Sequence, residues 1–495
     1  MLESNFSTVD WVIVAVYLAA IVGLGLYVNR YVQNMADFVV AGRSLKSLLA
    51  IATMIGSELG LVTVMYSAQK GVTGGFAAFH IGLIAGAMTL MVGLTGVIVV
   101  PLRRLGVMTI PEYYEKRYSR GVRIFGGLIL AAAGILNMGL FLKAGALFVT
   151  GLTGMQDPFA VNIVMTVLIV LVLIYTTLGG MISVVITDYL QFVLLSIGLL
   201  VTCALAVNEI GWSTIVETVR TMKGEAGFDP FHEEGFGYDY IGWQVVLAFS
   251  SCAVWQTAVL RACSAESLQV VKRLYTWSSI GFLIRFMLPQ FLGICAVTYL
   301  WLDPAAHSVF FLESGEADPE TTLLAMPVFL GQVLPVGLVG LIGAGMLAAF
   351  MSTHDTYLLC WATVLTEDVV NPLYNGRLSV RARLLLTRVL IVVIAVFLLG
   401  WSLWYDLGQD LWDYMAVTGG IYFAGALPLL IAGIYSRWAS PVGAYLSLLA
   451  GLCMVFGLTS DLAISKPLLS LLVVLMSFAA LLLGSFLFPA GRRKI

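Results

Sequence analysis

Charge is what this chain has least of. Only 11% of its 495 residues are Asp, Glu, Lys or Arg, against roughly 25% in soluble domains. Nowhere does the composition leave room for a soluble domain. The six cysteines, Cys203, Cys252, Cys263, Cys295, Cys360 and Cys453, all lie in or beside apolar segments, so no disulfide framework is implied. The first ten residues carry Glu3 and Asp10 but no Lys or Arg. They lack the basic start of a cleaved signal peptide, so the first apolar segment is expected to stay. There is no GxxxxGK[ST] phosphate loop and no HExxH, which argues against ATP-driven transport and zinc proteolysis. No nucleophile or acid–base constellation appears, so an enzyme is not expected, nor is a nucleic-acid partner.

What the chain has is hydrophobic length, with 60% apolar residues. A helix that crosses a bilayer needs about 20 of them in a row. Thirteen such stretches are expected, near 9–30, 47–71, 76–101, 122–151, 158–178, 182–207, 240–260, 276–302, 334–362, 385–405, 411–435, 441–459 and 467–488. The fold class is therefore an all-α polytopic membrane protein in one transmembrane domain, with the lipid bilayer as a partner. Basic residues mark the cytoplasmic loops. With the N-terminus outside, one set of loops holds 20 of the 26 Lys and Arg residues and the other holds Arg220, Lys223 and Lys466. The second set carries acids instead, Glu225, Glu233, Glu316, Asp318 and Asp410 among them. A multi-pass protein of the cell membrane, plasma or bacterial inner, is expected, starting outside and ending in the cytoplasm. The stretch 321–331, in an outer loop, is expected to be a short helix on the mouth.

Polar groups inside the spans point to a site. In Ala348-Ala-Phe-Met-Ser352-Thr353-His-Asp355-Thr356, Ala349, Ser352, Thr353 and Thr356 share one helical face, and Ser352, Asp355 and Thr356 form a second set. Hydroxyl and carboxylate oxygens are hard ligands suited to a small hard cation. The competing reading has the hydroxyls bonded back to the i−4 carbonyls of their own helix. In the second span, Glu58 stands between Gly56 and Gly60. The glycines alone could be a close helix contact, but a carboxylate between them makes a poor continuous helix. An interrupted helix frees carbonyls that can hold a cation. The seventh span is the other irregular one, with Ser250-Ser251-Cys252 and then Trp255-Gln256-Thr257. Two interrupted spans five apart fit a five-helix unit followed by its inverted copy. Lys143, deep in the fourth span, either snorkels outward or pairs a carboxylate, from Glu58 or from a substrate. Asp188 follows Thr187 where the sixth span starts, as a helix cap or as a site residue. Arg285 and Lys70 read as interfacial or structural, His80 and His354 as packing residues.

These segments look familiar. Leu347-Ala-Ala-Phe-Met-Ser352-Thr353 followed by Thr366-Glu367-Asp368 resembles the sodium-site helix and its exit in the sodium:solute symporter family. Asp37-Phe38 with Ala41-Gly42-Arg43-Ser44, Thr109-Ile-Pro111-Glu112-Tyr113, Gly179-Gly180 with Thr187-Asp188, and Arg261 with Ser264-Ala265-Glu266-Ser267 resemble further motifs of that family, in the family's order. The resemblance implies thirteen spans of the leucine-transporter class, with spans two to eleven forming the inverted repeat. On that pattern 1–46 is an extra first span with its inner loop, 47–207 and 240–435 are the two repeats, and 436–495 holds two C-terminal spans. It also implies a sodium site built from the carbonyls of Gly56, Leu59 and Ala349 and the hydroxyls of Ser352 and Thr353. Some members hold a second sodium, here at Ser352, Asp188, Asp355 and Thr356. Asp355 departs from the family's small hydroxyl residue and could strengthen that site, or pair Lys143 or Arg285 and abolish it.

The expected function is sodium-coupled symport of a small polar organic solute inward by alternating access, amino acid or carboxylate favoured. The substrate is expected near Glu58, Thr63, Lys143, Trp255, Gln256 and Thr257. The alternatives are proton coupling through Glu58 or Asp355, and a transporter-like sensor that does not transport. A monomer or loose homo-oligomer is expected.

Overall fold

In lipid a backbone must satisfy its own hydrogen bonds, which leaves helices as the economical solution for an apolar chain. The computed structural model describes residues 3–28, 45–155, 157, 159–405, 410–459 and 464–489, without the side chains of 21–22, 24–28, 57, 175 and 177–192. The described residues form helices, with two isolated bridges, Leu45 with Ala265 and Phe311 with Ala317. The motif at 37–44 lies outside the described residues.

In chain order the helices are α1 (Thr8–Val28), α2 (Ser47–Glu58), α3 (Leu61–Gly74), α4 (Phe79–Thr95), α5 (Val99–Arg104), α6 (Ile110–Arg117), α7 (Arg120–Asn137) and α8 (Phe141–Thr153). Then come α9 (Ala160–Ile210), α10 (Trp212–Lys223), α11 (Gly237–Ala253), α12 (Gln256–Ser264), α13 (Leu268–Leu302) and α14 (Pro304–Phe310). The last are α15 (Thr322–Val333), α16 (Leu338–Val364), α17 (Val380–Trp404), α18 (Leu411–Tyr435), α19 (Pro441–Gly451) and α20 (Lys466–Leu487). Several start on a hydroxyl that accepts an orphan N–H of the first turn, Thr109 from Glu112, Ser119 from Val122 and Ser379 from Ala382 among them.

Ten helices among the described residues are long and apolar enough to cross a bilayer. Of the expected thirteen, the stretches 158–178 and 182–207 fall in one helix of 51 residues, which has no proline to break its ladder. The second span is split at Leu59–Gly60, so α2 alone is too short to cross. The mouth helix expected at 321–331 is α15.

The helices meet through small residues, as close packing in lipid requires. Where α3 crosses α13, a side chain at Gly71 would strike the carbonyl of Gln290, and one at Gly293 the carbonyl of Ala68. The core of the bundle is α16, buried along its length.

Candidate functional site

Three interrupted helices build the site. The first break lies between α2 and α3. Leu59 leaves the helix with φ −93° and ψ 62°, and Gly60 is extended at φ −90°, ψ 169°. The nearest N–H groups go elsewhere, Leu59 to the Ile55 carbonyl at 2.7 Å and Val64 to the Gly60 carbonyl at 3.1 Å. That leaves the carbonyls of Gly56 and Leu59 out of the hydrogen-bond ladder among the described residues. The Glu58 carbonyl accepts the Thr63 hydroxyl at 2.7 Å and the Arg285 Nη1 at 3.0 Å. A cation capping the last turn is the arrangement a helix C-terminus favours.

The second break lies between α11 and α12, at Val254 and Trp255, where Trp255 has φ −79° and ψ 130°. The Tyr275 hydroxyl of α13 meets the freed Cys252 carbonyl at the end of α11 at 2.9 Å, with the Ala258 carbonyl of α12 a longer contact at 3.4 Å. The third break, at Met138–Leu140 between α7 and α8, carries no signal in the amino-acid pattern. There the Tyr414 hydroxyl donates to the Leu136 carbonyl and the Ser402 hydroxyl to the Gly139 carbonyl, both at 2.6 Å. At these two breaks a side chain from another helix thus meets a loose carbonyl, as burial requires.

All three breaks face one cavity of about 640 Å³, its mouth included. Glu58 and Thr63 line it from the first break, Trp255 from the second, Asn137 and Phe141 from the third, and Thr353 and Tyr357 from α16. Arg285 of α13 completes the polar part, with its Nη1 at 2.7 Å from the Glu58 carboxylate. The remaining wall is mostly apolar: Tyr66, Trp412 and Phe423 join the rings already named, beside Val62, Leu247, Met415 and Ala416, with the Ser251 hydroxyl among them.

The first break touches the hydroxyl helix. A side chain at Gly60 would land on the Thr353 hydroxyl, so only glycine permits this approach. Thr353 donates its proton to the Ala349 carbonyl at 2.9 Å. That is the back-bonded reading, and it does not compete with ligation by Thr353, because the hydroxyl oxygen keeps its lone pairs. Ser352 is buried one residue earlier. Carbonyls out of the ladder, buried hydroxyls and a contact that a Cβ would fill make a donor set fit for a small hard cation.

The other expected residues lie elsewhere. Lys143 does not line the cavity; its ammonium reaches the Tyr405 carbonyl at 3.1 Å. It stretches along the wall toward the end of α17, the snorkelling alternative. Replacing it with glutamine should change solute affinity by less than about fivefold, as for a partly exposed ion contact; equilibrium binding to the K143Q protein checks this. Gln256 points away from the cavity and ties α12 to the loop before α6, accepting from the Ile110 N–H at 2.9 Å and donating to the Met108 carbonyl at 3.2 Å. Thr257 is buried outside the lining, its carbonyl accepting Arg261 Nη1 at 3.0 Å. The same guanidinium gives Nη2 to the Thr356 hydroxyl at 3.2 Å. A fixed positive charge therefore stands at the hydroxyl expected to hold a second cation. Asp355 is buried beside it, and the side chain of Asp188 lies outside the described residues. Neither Lys143 nor Arg285 takes up Asp355 in the contacts described: they serve Tyr405 and Glu58.

Two charged clusters bracket the cavity. At one end, Lys70 is held between Asp410 at 2.7 Å and Asp413 at 2.8 Å, joining α3 to the start of α18. At the other, Asp368 accepts from the Thr109 hydroxyl and from Arg123, both at 2.9 Å, while Arg383 pairs Glu367 at 2.8 Å. Residues singled out as family motifs, Thr109 and Glu367-Asp368, thus assemble into a seam. His80 bonds the Ala77 carbonyl in the turn before α4 at 2.7 Å, and His354 the Phe350 carbonyl of its own helix at 3.0 Å.

The family model described as the sodium:solute symporter family matches residues 38–451. The chain belongs to that family. The symporter is 25% identical over 477 residues to the sodium/sialic acid symporter NanT of Aliivibrio fischeri, covering 93% of this chain and 89% of that one. It is 25% identical to a putative sodium-dependent multivitamin transporter of Drosophila melanogaster, with 90% and 74% covered, and 24% identical to human sodium/glucose cotransporter 4, with 90% and 68% covered. Among solved structures, a sodium-coupled sialic acid symporter in a substrate-bound outward-open state superposes with a TM-score of 0.81 at 20% identity, covering 99% of this chain and all of that one. MhsT in complex with L-phenylalanine superposes at 0.55 and 15% identity, with 90% and 98% covered. The fold is that of the leucine-transporter class, and the symporter is a sodium-coupled solute transporter rather than an enzyme.

The residues that sequence reasoning undervalued are Arg285 and the aromatic lining. Arg285 carried the same signal as Glu58, a charge at bilayer depth, and the two signals answer each other. The aromatics carried none, because a ring on an apolar helix looks the same facing a cavity or a core.

Proposed function

We propose that this symporter imports a small polar organic solute, amino acid or carboxylate favoured, together with sodium by alternating access. The observation that carries the reading is the close approach of Gly60 to the Thr353 hydroxyl directly beside the cavity. Sodium there is held by the carbonyls of Gly56, Leu59 and Ala349 and the hydroxyls of Ser352 and Thr353, and so bridges α2, α3 and α16. Occupied, it stabilises the arrangement in which those helices stay together; released to a sodium-poor cytoplasm, it lets them part. That is a shift of populations by differential binding. The preference for a charged solute rests on the Glu58–Arg285 pair in the wall, since Lys143 lies elsewhere. We propose one sodium site, because the Arg261 guanidinium at Thr356 supplies a fixed cation where a second ion would sit. The repeats 47–207 and 240–435 are the parts that move against each other, with the N-terminus outside and the C-terminus in the cytoplasm of the cell membrane.

Reconstituted into liposomes, the protein should accumulate solute down an imposed inward sodium gradient, with a Hill coefficient for sodium near one. Uptake that follows a proton gradient and ignores sodium would overturn the coupling. Binding without accumulation would make the chain a sensor.

A further inference from the structure

We infer that Arg285 is the anchor for a carboxylate on the transported solute, and that this solute is a small monocarboxylate with a flat, apolar body. The inference rests on the symport reading above and narrows it. Among the described residues that line the cavity, Arg285 is the one cation and Glu58 the one anion. Arg285 is 6% exposed, and its Nε, though buried, has no hydrogen-bond partner among the described residues. A guanidinium carries five donors in a planar fork. Here Nη1 serves both the carbonyl and the carboxylate of Glu58, which leaves the Nε edge for another acceptor. The group is held in place from behind, with its carbon 4.1 Å from the Phe282 ring centre and 4.7 Å from that of Phe286. Other cations near the bundle core are engaged elsewhere, Lys70 with two aspartates, Lys143 with Tyr405 and Arg261 with Thr257 and Thr356.

Charge balance favours a ligand with one negative charge. Glu58 and Arg285 cancel. A sodium ion at the Gly60–Thr353 contact adds one positive charge at the edge of the same cavity, which Thr353 also lines. A monocarboxylate returns the site to neutrality, while a neutral sugar leaves the cation uncompensated and a dianion overshoots. Uncompensated charge in a water-poor site is costly. Sodium and the carboxylate therefore strengthen each other's binding, and by the same factor. The rest of the ligand meets Phe141, Trp255, Tyr357, Trp412 and Phe423, rings suited to a flat apolar body.

The alternative is that Arg285 only caps α2. The full-length protein in lipid nanodiscs distinguishes the two by thermal stability and equilibrium binding, in sodium chloride against potassium chloride. The probes are propionate, nicotinate, 3-phenylpropionate, its neutral isostere 3-phenylpropionamide, L-phenylalanine and D-glucose. At least one monocarboxylate should stabilise the protein in sodium and not in potassium, and 3-phenylpropionamide should bind at least about tenfold more weakly than 3-phenylpropionate. Arg285→Lys should keep the stabilisation by sodium alone and lose at least about tenfold in carboxylate affinity. The inference is overturned if sodium stabilises the protein and no monocarboxylate adds to it, if the amide or D-glucose binds as tightly as the acid, or if L-phenylalanine binds more tightly than 3-phenylpropionate. Failure of sodium itself to stabilise the wild-type protein would instead overturn the symport reading.

Discussion

Replacing Thr353 with alanine should raise the sodium concentration for half-maximal uptake by roughly ten- to a hundredfold, while the rate at saturating sodium is largely kept. A hydrogen bond or ligand contact to a charged group contributes about 1.5–3 kcal/mol, and each 1.4 kcal/mol is about a factor of ten. Thr353 is the hydroxyl that Gly60 approaches and the one that lines the cavity, so its loss leaves a gap that neighbouring carbonyls cannot close without moving the break. Thr353→Ser keeps the oxygen and should restore most of the sodium affinity. Gly60→Ala should mimic Thr353→Ala by a different route, since its methyl would occupy the space at the hydroxyl. Uptake measured against a sodium titration decides the matter. A T353A protein with unchanged sodium dependence would mean that the ion is held elsewhere.

Replacing Lys70 with alanine should destabilise the protein by about 3 kcal/mol, the low end of the cost of breaking a buried pair. The low end applies because the partners are partly wet, the side chains of Asp410 and Asp413 being 20% and 32% exposed against 6% for Lys70. Without the ammonium, two carboxylates face each other, and the Tyr240 hydroxyl at 3.2 Å from Asp413 cannot neutralise either. Lys70 lies one helical turn beyond Tyr66 on α3, and Asp413 lies next to Trp412 on α18. The pair therefore closes over the cavity between two of the helices that line it. K70A should thus also slow uptake and make a cysteine placed at Ser251 react faster with a membrane-impermeant maleimide. Lys70→Arg should preserve both stability and uptake. Thermal unfolding and labelling rates together test this; a K70A protein that melts with the wild type and labels no faster would show that the cluster latches nothing.

Much of the architecture was legible because lipid makes strong demands on sequence. Apolar runs located most of the long helices, though they set 158–178 and 182–207 apart where one helix runs and left most of the short helices unseen, and the break at Leu59–Gly60 followed from a carboxylate set between glycines. The break at Trp255 was legible as irregularity but not as geometry: the same three letters, Trp255-Gln256-Thr257, put one side chain into the cavity and two outside it. Helical periodicity could not sort them, since the helix starts there. The break at Met138–Leu140 was invisible, because Asn137-Met-Gly-Leu reads as ordinary packing, and what opens it is supplied by Ser402 and Tyr414 from far along the chain. Lys143 misled for a related reason. Depth in a span says that a charge needs a partner and leaves open which wall of the helix it uses to find one. Lys70 was rightly read as structural, and Arg285, read the same way, turned out to face the cavity.

The adjacency of Trp255 and Gln256 has one more effect. The indole lies against the cavity, and the very next side chain is moored to Met108 and Ile110 in the seam. A single peptide unit thus joins the cavity wall to the charged seam, with α12 as the lever between them. On the proposed transport reading, a compound small enough to let the indole settle would travel through. One bulky enough to wedge it would throw strain on the seam and stay, so that cargo and blocker would differ by the tilt of one ring.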